Sequence, residues 1–480
     1  MQFESVIGLE IHVQLATASK IFSGAATAYG AAPNTQACPV DLGLPGVLPV
    51  VNREAIRMAL TFGLAIDGEI APACRFDRKN YFYPDLPKGY QISQFEQPIV
   101  GRGTVTMDPV DGDGEPRAIG ITRAHLEEDA GKSVHDAFAG LTGIDLNRAG
   151  TPLLEVVSDP DLRTPEEAAA FFREMHALVR ALRISDGNLN EGSMRCDANV
   201  SVRPVGTSEL GERTEIKNLN SFRFVERALR HEIERQIDVL EAGGAVQRET
   251  RLYDAERDET RPMRGKELSD DYRYFPDPDL LPVRITSEMM EEARAHLPEL
   301  PSSKRARYVD DLGLSQYAAR ALANDPDTAG YFDATVEAGA NARQAANWVM
   351  DHVAATLHRH ETDISQCPVS PGRLAQLIAR IEDGSISNTA AKTVFDALWE
   401  EDGDVDGIID AKGLRQMRDP DELARIVAQV IEGNPDQVAD LKAGQTKILG
   451  FLVGQVMRAT RGKADPRQVN ALLKEALGVG

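Results

Sequence analysis

The first 290 or so residues combine short alternations of apolar and polar residues with frequent Gly and Pro. Residues 8–15 alternate most regularly, which predicts a strand that carries Glu10 and His12 on its polar face. Residues 197–203 and 213–217 alternate in the same way and predict two further strands. This part of the chain is therefore expected to be rich in short strands.

One helix is well marked ahead of the second of these strands. Thr164 can cap it, Pro165 suits the first helical position, and Glu167 completes a capping box. Its apolar stripe consists of Phe171, Phe172, Met175, Val179 and Leu182. Together with the strands, this helix predicts an α+β fold.

Helical periodicity replaces the strand pattern over residues 287–398. A Gly- and Asp-rich segment, 401–407, then predicts an acidic linker to a last helical module, whose best helix begins at Asp419 and ends at Gly433. We expect a strand-rich α+β domain over residues 1–290, an all-α domain over 291–403 and an all-α tail domain over 407–480.

Composition narrows the class of protein. The chain has 480 residues, of which 42% are hydrophobic, so it can bury full-sized cores and is not globally disordered. No apolar run reaches the roughly 18 residues of a membrane span, and no secretion signal is evident at the N-terminus. The four cysteines lie far apart, which argues against a disulfide framework. These features predict a cytoplasmic, multidomain protein.

The net charge of −22 argues against indiscriminate binding of nucleic acid, yet the C-terminal end of the chain departs from it. Residues 441–480 hold seven basic and two acidic residues, a balance of +5. Such a patch suits a phosphate backbone held at one place, although a solvated helix face explains it equally well. The candidates for such a contact, called the tail cations below, are Lys447, Arg458, Arg461, Lys463 and Arg467.

Carboxylates and imidazole indicate a metal site in the α+β domain. Glu10 and His12 lie two residues apart on one strand, so both side chains point to the same face. Carboxylates with one imidazole suit Mg²⁺ or Mn²⁺, which usually serve substrate phosphates. The alternative is a set of acids on the solvent face of a sheet. Further acids follow in the chain at Glu127, Glu128, Glu155 and Asp197.

Residues 77–91 are dense in aromatic and basic side chains. This composition fits a polar ligand pocket and a rigid core loop about equally well. In a pocket, Lys79 is a candidate point charge for a phosphate.

Long blocks of the sequence closely resemble the GatB family, which is the GatB subunit of the glutamyl-tRNA(Gln)/aspartyl-tRNA(Asn) amidotransferase. The blocks follow the family's order over nearly the whole chain, so chance is not a serious rival. They are residues 6–15, 78–91, 125–133 (HLEEDAGKS), 145–155 (DLNRAGTPLLE), 191–202 (EGSMRCDANVSV), 215–224, 271–280 and 450–456.

The resemblance implies a glutamine-synthetase-like cradle domain, a helical domain and a tail domain. It also implies a ligase reaction, in which ATP phosphorylates the side-chain carboxylate of mischarged tRNA and ammonia then displaces phosphate. The implied partners are mischarged tRNA, an amidase (glutaminase) subunit that supplies the ammonia, and a small third subunit that completes a heterotrimer. ATP is the implied co-substrate and Mg²⁺ the implied cofactor.

The resemblance also implies the site residues. The metal candidates are Glu10, His12, Glu128 and Glu155, together with Glu127, because strand parity does not say which of the two adjacent glutamates faces inward. The catalytic candidates are Glu10, His12, Lys79, Glu128, Glu155 and Asp197.

One departure from the family concerns zinc. Some members hold a structural zinc with four thiolates near the N-terminus, whereas the matching positions here are Ser23, Ala25, Cys38 and Asp41. A lone thiolate cannot build the tetrahedral site, so we expect no structural zinc.

Two other functions compete with the amidotransferase. The chain could be a non-catalytic tRNA-binding scaffold whose acids only shape the fold. A free-standing metallohydrolase is disfavoured because the H-E-x-x-H motif is missing and the tail is basic. Whether Glu-tRNA(Gln), Asp-tRNA(Asn) or both are substrates stays open.

Overall fold

The computed structural model describes residues 2–110, 114–138, 140–263, 272–401, 403–417, 419–442, 445, 447–460 and 463–478. The chain forms two compact units, Met1–Lys304 and Arg305–Gly480. No helix in the described ranges is both long and apolar enough to cross a membrane.

In its described residues, the first unit contains the strands and four helices between or after them. The strands are β1 (Phe3–Gln14), β2 (Ala73–Cys74), β3 (Asp77–Asn80), β4 (Tyr90–Ser93), β5 (Gly103–Met107), β6 (Arg117–Glu128), β7 (Lys132–Phe138), β8 (Leu141–Asp145), β9 (Pro152–Ser158), β10 (Met194–Pro204), β11 (Thr214–Leu219), β12 (Glu249–Asp254), β13 (Glu259–Pro262), β14 (Phe275–Pro276) and β15 (Val283–Arg284). The helices are α1 (Arg53–Ala65), α2 (Pro165–Ala181), α3 (Phe222–Glu241) and α4 (Ser287–Ala295).

Among the described residues, eleven strands form one large sheet in the order β13-β12-β11-β10-β1-β9-β6-β4-β3-β14, with β5 also pairing with β6. The long strand β1 lies between β9 and β10 and is antiparallel to both. Two small sheets, β15-β2 and β7-β8, complete the unit. The mixed sheet and its helices confirm the predicted α+β class.

The two faces of this sheet differ in chemistry. On β1, Ile7, Leu9 and Ile11 are fully buried in the main core, to which α1, α2 and α3 contribute. Helix α2 packs on β1, and α3 packs on β10. The alternate residues Glu10 and His12 therefore lie on the face that these helices do not cover.

The predicted α2 helix is present, with one difference at its start. The Thr164 side chain accepts a hydrogen bond from the Glu167 amide, and Pro165 is the first helical residue, as expected. The Glu167 carboxylate accepts from the Arg163 amide instead of the Thr164 amide. The cap is thus longer by one residue than the predicted box.

The other helices follow in chain order, and α5 spans the division between the two units. They are α5 (Pro301–Asp310), α6 (Gln316–Ala323), α7 (Pro326–Glu337), α8 (Ala342–Asn347), a π-helix (Trp348–Val353), α9 (Ala354–Arg359), a 3₁₀ turn (Ile364–Gln366), α10 (Pro371–Glu382), α11 (Asn388–Glu400), α12 (Val405–Ala411), α13 (Pro420–Glu432), α14 (Pro435–Lys442), α15 (Lys447–Ala459) and α16 (Pro466–Leu477).

The part of the second unit that the structure describes contains two apolar cores, one formed mainly by α6–α12 and one by α13–α16. Residues 405–411, at the end of the predicted acidic linker, form α12 instead. Asp404 caps this helix, and Ile408 and Ile409 pack in the first of the two cores. The change from one core to the next therefore falls between α12 and α13, and not at residue 407. Helix α13 begins after the Asp419 cap and ends at Gly433, as predicted.

Candidate active site

The uncovered face of the sheet brings histidines and carboxylates from three adjacent strands into one row. His12 on β1 lies directly opposite Glu155 on β9, and Glu155 lies directly opposite His125 on β6. Directly opposite residues of antiparallel strands project to the same side of a sheet. Glu127 projects there too, because it follows His125 by two residues.

These side chains converge. The Nε2 atom of His12 lies 3.6 Å from a Glu155 carboxylate oxygen and 3.9 Å from a Glu127 oxygen. The Nε2 atom of His125 lies 3.2 Å from Glu155 and 3.8 Å from Glu127. One ligand atom each from His12, Glu127 and Glu155 lies within 4.8 Å of the others. These three residues are called the acidic triad below.

Burial and charge set the protonation of this group. Burial alone would lower the pKa of His125, but the charge of Glu155 and hydrogen bonds to Glu127 and Glu155 raise it to about 9. Burial would raise the pKa of Glu155, whereas the charges of His125 and Lys79 hold it well below its usual range. Glu155 is therefore ionised at neutral pH.

The acidic triad fits a hard divalent cation. It offers two carboxylates and one imidazole nitrogen, a donor set that suits Mg²⁺ or Mn²⁺. Ligand atoms on opposite sides of a magnesium ion lie about 4 Å apart, which is comparable to the observed separations. The ring of His125 is buried beside Glu127 and Glu155, and its Nδ1 has no hydrogen-bond partner among the described residues.

The two adjacent glutamates of β6 have different surroundings. Glu127 belongs to the acidic triad, whereas the Glu128 carboxylate forms a buried ion pair with Lys88. Glu128 also accepts a hydrogen bond of 2.8 Å from the Ile92 amide. The structure therefore places Glu127 near His12. Glu128 instead pairs with Lys88 on the other side of the sheet, because adjacent residues of a strand project to opposite faces.

The remaining predicted residues flank the triad. Glu10 accepts a hydrogen bond of 2.8 Å from the Asn199 side chain. Burial, followed by the charges of Glu155 and Glu215, raises the pKa of Glu10. Asp197 lies directly opposite Glu10 on β10, and its carboxylate is 2.8 Å from the Lys217 ammonium. Both carboxylates are on the uncovered face but outside the triad.

Lys79 lies on the other side of the triad, on β3. Its ammonium group is 4.8 Å from the ring centre of Tyr272 and 5.8 Å from that of Tyr81. Cation–π contacts of this kind hold a charge in place without neutralising it. Lys79 also contributes to the low pKa of Glu155, so its charge acts on the triad.

Next to Glu10, the sheet borders a cleft of about 460 Å³. Asn199 and Ser158 line it on the sheet side, and Arg213 and Arg248 also contribute to its lining. The two guanidinium groups of this cleft suit a phosphorylated ligand, and its apolar residues could pack against the rest of that ligand.

Sequence reasoning assigned no role to three residues of this face. His125 shares strand parity with Glu127, a signal that could have identified it. Arg195 lies directly opposite His12 on β10, and Asp129 forms an ion pair with it at 3.0 Å. Nothing in the local sequence indicates that pairing, because the three strands involved are far apart in the chain.

The loop matched to the family's zinc site is held by one carboxylate. Asp41 accepts hydrogen bonds of 2.9 Å from the Ser23 hydroxyl and 2.8 Å from the Cys38 amide. The ammonium group of Lys20, itself fully buried, lies 3.3 Å from Asp41. A lysine–aspartate pair thus occupies the loop, and the expected absence of structural zinc stays a prediction.

The tail cations lie in the second unit. Lys447 and Arg458 are exposed on α15, Arg467 is exposed on α16, and Lys463 is half-buried before α16. Arg461 lies outside the described residues.

Comparison with known proteins identifies the class to which this fold and site belong. Residues 5–291 match the family described as the GatB/GatE catalytic domain, and residues 330–477 match the family described as the GatB domain. The first match includes the whole acidic triad and covers more than half of the chain. The chain belongs to the GatB family.

Full-length relatives agree with this assignment. The chain is 58% identical over 478 residues to a protein of Thioalkalivibrio sulfidiphilus, covering 99% of this chain and 100% of the relative. It is 59% identical over 478 residues to a protein of Alkalilimnicola ehrlichii, with the same coverage. Both relatives are named as the B subunit of the aspartyl/glutamyl-tRNA(Asn/Gln) amidotransferase.

Proposed function

We propose that this chain is the subunit of a tRNA-dependent amidotransferase that activates the carboxylate of mischarged Glu-tRNA(Gln), Asp-tRNA(Asn) or both. The terminal phosphoryl group of ATP passes to the side-chain carboxylate, which gives an acyl phosphate and ADP. Ammonia then attacks the acyl carbon, inorganic phosphate leaves, and the amide remains. A carboxylate is a poor acyl donor, and phosphorylation supplies the leaving group that it lacks.

The observation that carries this proposal is the acidic triad on the uncovered face, next to the cleft to which Arg213 and Arg248 contribute. His12, Glu127 and Glu155 would hold Mg²⁺, with the Glu10 carboxylate beside them. When bound, this ion neutralises negative charge on the phosphates. Glu128 is not among the proposed ligands, because Lys88 occupies its carboxylate.

The residues around the triad have supporting roles in this proposal. Lys79, in cation–π contact with two tyrosine rings, presents a point charge to the phosphate. Asp197 and Glu215 hold Lys217 by ion pairs and so keep a second ammonium group near this face. Phosphoryl transfer requires such positioning and charge stabilisation more than a nucleophilic side chain.

The partners follow from the reaction. A separate glutaminase subunit would release the ammonia, a small third subunit would complete a heterotrimer, and the tail cations would contact the tRNA backbone. Because aminoacyl-tRNA is made and used in translation, we place the complex in the cytoplasm.

The test uses the chain assembled with its partner subunits. Changing His12→Ala or Glu155→Gln should lower ATP-dependent amidation about 10³-fold, while the glutaminase activity of the complex remains measurable. Glu4→Gln is the matched control, because Glu4 lies on the same strand and is paired only with Arg203, at 2.7 Å, among the described residues. Manganese binding to the purified chain should be lost in the first two variants and kept in the control.

A scaffold without catalysis gives a different result. In that case the His12 and Glu155 variants would amidate at the wild-type rate, and Mn²⁺ affinity would not depend on the triad. Hydrolysis of ATP without dependence on mischarged tRNA would instead favour a free-standing hydrolase.

A further inference from the structure

Arg195 lies next to the acidic triad because of the pairing between strands β1 and β10. Strand β10 places it directly opposite His12, so it projects from the uncovered face. Its side chain remains 31% exposed, and the charge of Asp129, with smaller contributions from Glu127 and Asp197, raises its pKa. A cation is thus held at the edge of a group of carboxylates without being enclosed by them.

Asp129 fixes Arg195 from one side only. An Asp129 oxygen lies 3.0 Å from one terminal nitrogen of Arg195, and the same oxygen accepts a hydrogen bond of 2.9 Å from Gln14. The other oxygen accepts 2.9 Å from the Ala130 amide. Asp129 is 5% exposed and also lies 3.6 Å from Arg148. It is therefore a rigid anchor.

The rest of the guanidinium fork is available. Among the described residues, the hydrogen bond to Asp129 is the one that Arg195 makes. A guanidinium group has five N–H donors arranged to match the oxygens of a carboxylate or phosphate. An arginine that served only to fasten β10 would need no partly exposed fork next to the triad.

We propose that Arg195 is a further catalytic residue of the phosphoryl transfer, and that Asp129 is its positioning residue. This inference rests on the proposed function. The free N–H groups contact oxygens of the phosphoryl group while its bond to the ADP oxygen breaks and its bond to the substrate carboxylate oxygen forms. Arg195 keeps its protons throughout and stabilises charge, as an arginine does at other phosphoryl-transfer sites.

The first test compares Arg195→Gln with Arg195→Lys in the assembled complex. We expect the kcat of amidation to fall about 10²- to 10³-fold in the Gln variant, with KM for ATP and for tRNA within about threefold of wild type. The Lys variant keeps the charge but loses the fork, so its kcat should fall about tenfold or more. Arg203→Gln, on the same strand and paired with Glu4, is the matched control.

The second test needs no turnover. Fluorescent ADP should bind the wild-type complex more tightly when aluminium fluoride is added, because this ion mimics the transferring phosphoryl group. Arg195→Gln should lose that gain while binding ADP alone normally.

Two further variants are measured by turnover. Millimolar guanidinium should partly restore amidation in Arg195→Ala, and Asp129→Asn should lower kcat about tenfold.

Several results would overturn the inference. Wild-type kcat in Arg195→Gln would do so, as would a raised KM for tRNA with unchanged kcat, which would assign Arg195 to the aminoacyl group. Thermal denaturation identifies a variant that merely fails to fold. For an Arg195→Ala variant that does fold, failure of guanidinium to restore amidation counts against the proposal. If the His12 and Glu155 variants remain active, the proposed function itself fails.

Discussion

The adjacent glutamates of β6 should respond differently when each is changed to Gln, one change affecting activity and the other affecting stability. Glu127 is 5% exposed and faces His12, whereas Glu128 is 3% exposed and faces Lys88, which is 9% exposed. Glutamine has nearly the same volume as glutamate, so each change removes a charge and little else. Glu127→Gln should abolish function, and Glu128→Gln should lower stability.

The magnitudes follow from the surroundings. Removing one partner of a buried ion pair costs about 3–5 kcal/mol of stability. The side-chain oxygen that remains in Glu128→Gln can still accept the hydrogen bond from the Ile92 amide. We therefore expect this change to lower the free energy of unfolding by about 3 kcal/mol. Glu127→Gln weakens the contact with the buried His125 but also relieves repulsion from Glu155. Because these two effects oppose each other, the free energy of unfolding should change by less than about 1 kcal/mol. Loss of this proposed metal ligand should lower amidation on the order of 10³-fold.

Three measurements on the two variants check this reasoning. Urea denaturation, followed through the unfolding transition of the first unit, gives its free energy of unfolding. Electron paramagnetic resonance gives Mn²⁺ binding, and amidation is measured in the assembled complex. Loss of Mn²⁺ binding in Glu128→Gln with unchanged stability would refute the assignment of the two faces. Normal Mn²⁺ binding in Glu127→Gln would refute the triad.

Three further predictions concern other parts of the chain. Changing the tail cations other than Lys447 to Gln removes up to four phosphate contacts. The salt dependence of tRNA binding should then flatten, and KM for tRNA should rise at constant kcat. Unchanged tRNA affinity over a salt titration would mean that these side chains only solvate the helix surface. Elemental analysis should find well under one zinc per chain, and stoichiometric, chelator-resistant zinc would contradict this. Burial would raise the pKa of the fully buried Glu232, but hydrogen bonds from Arg235, Gln236 and Thr260 lower it, so its stabilisation is present above pH ~4.3 and is lost on acidification. Glu232→Gln should cost about 3 kcal/mol at pH 7 and flatten the acid limb of stability against pH; an unchanged limb would argue against this account.

Local patterns predicted the elements in which one face is buried and the other is not. The alternation of β1 placed Glu10 and His12 together, and the caps at Thr164 and Asp419 located two helices. The acidic segment before residue 407 was misjudged because Asp and Gly favour loops on average. Asp404 is instead an N-cap, and the isoleucines that follow supply the buried side of a short helix.

The arrangement of the site could not be predicted in the same way, for two physical reasons. Residues 124–128 are all buried, so this end of β6 has no alternation of exposure that could distinguish Glu127 from Glu128. The pairing of Arg195 with His12 depends on the register between β1 and β10, which non-local packing determines. Arg195 lies opposite the proposed metal ligand His12 only in that register, and shifting the register by one residue would turn Arg195 into the apolar core. The core residues of both strands, such as Ile11 and Cys196, therefore fix the position of the guanidinium group as firmly as Asp129 does.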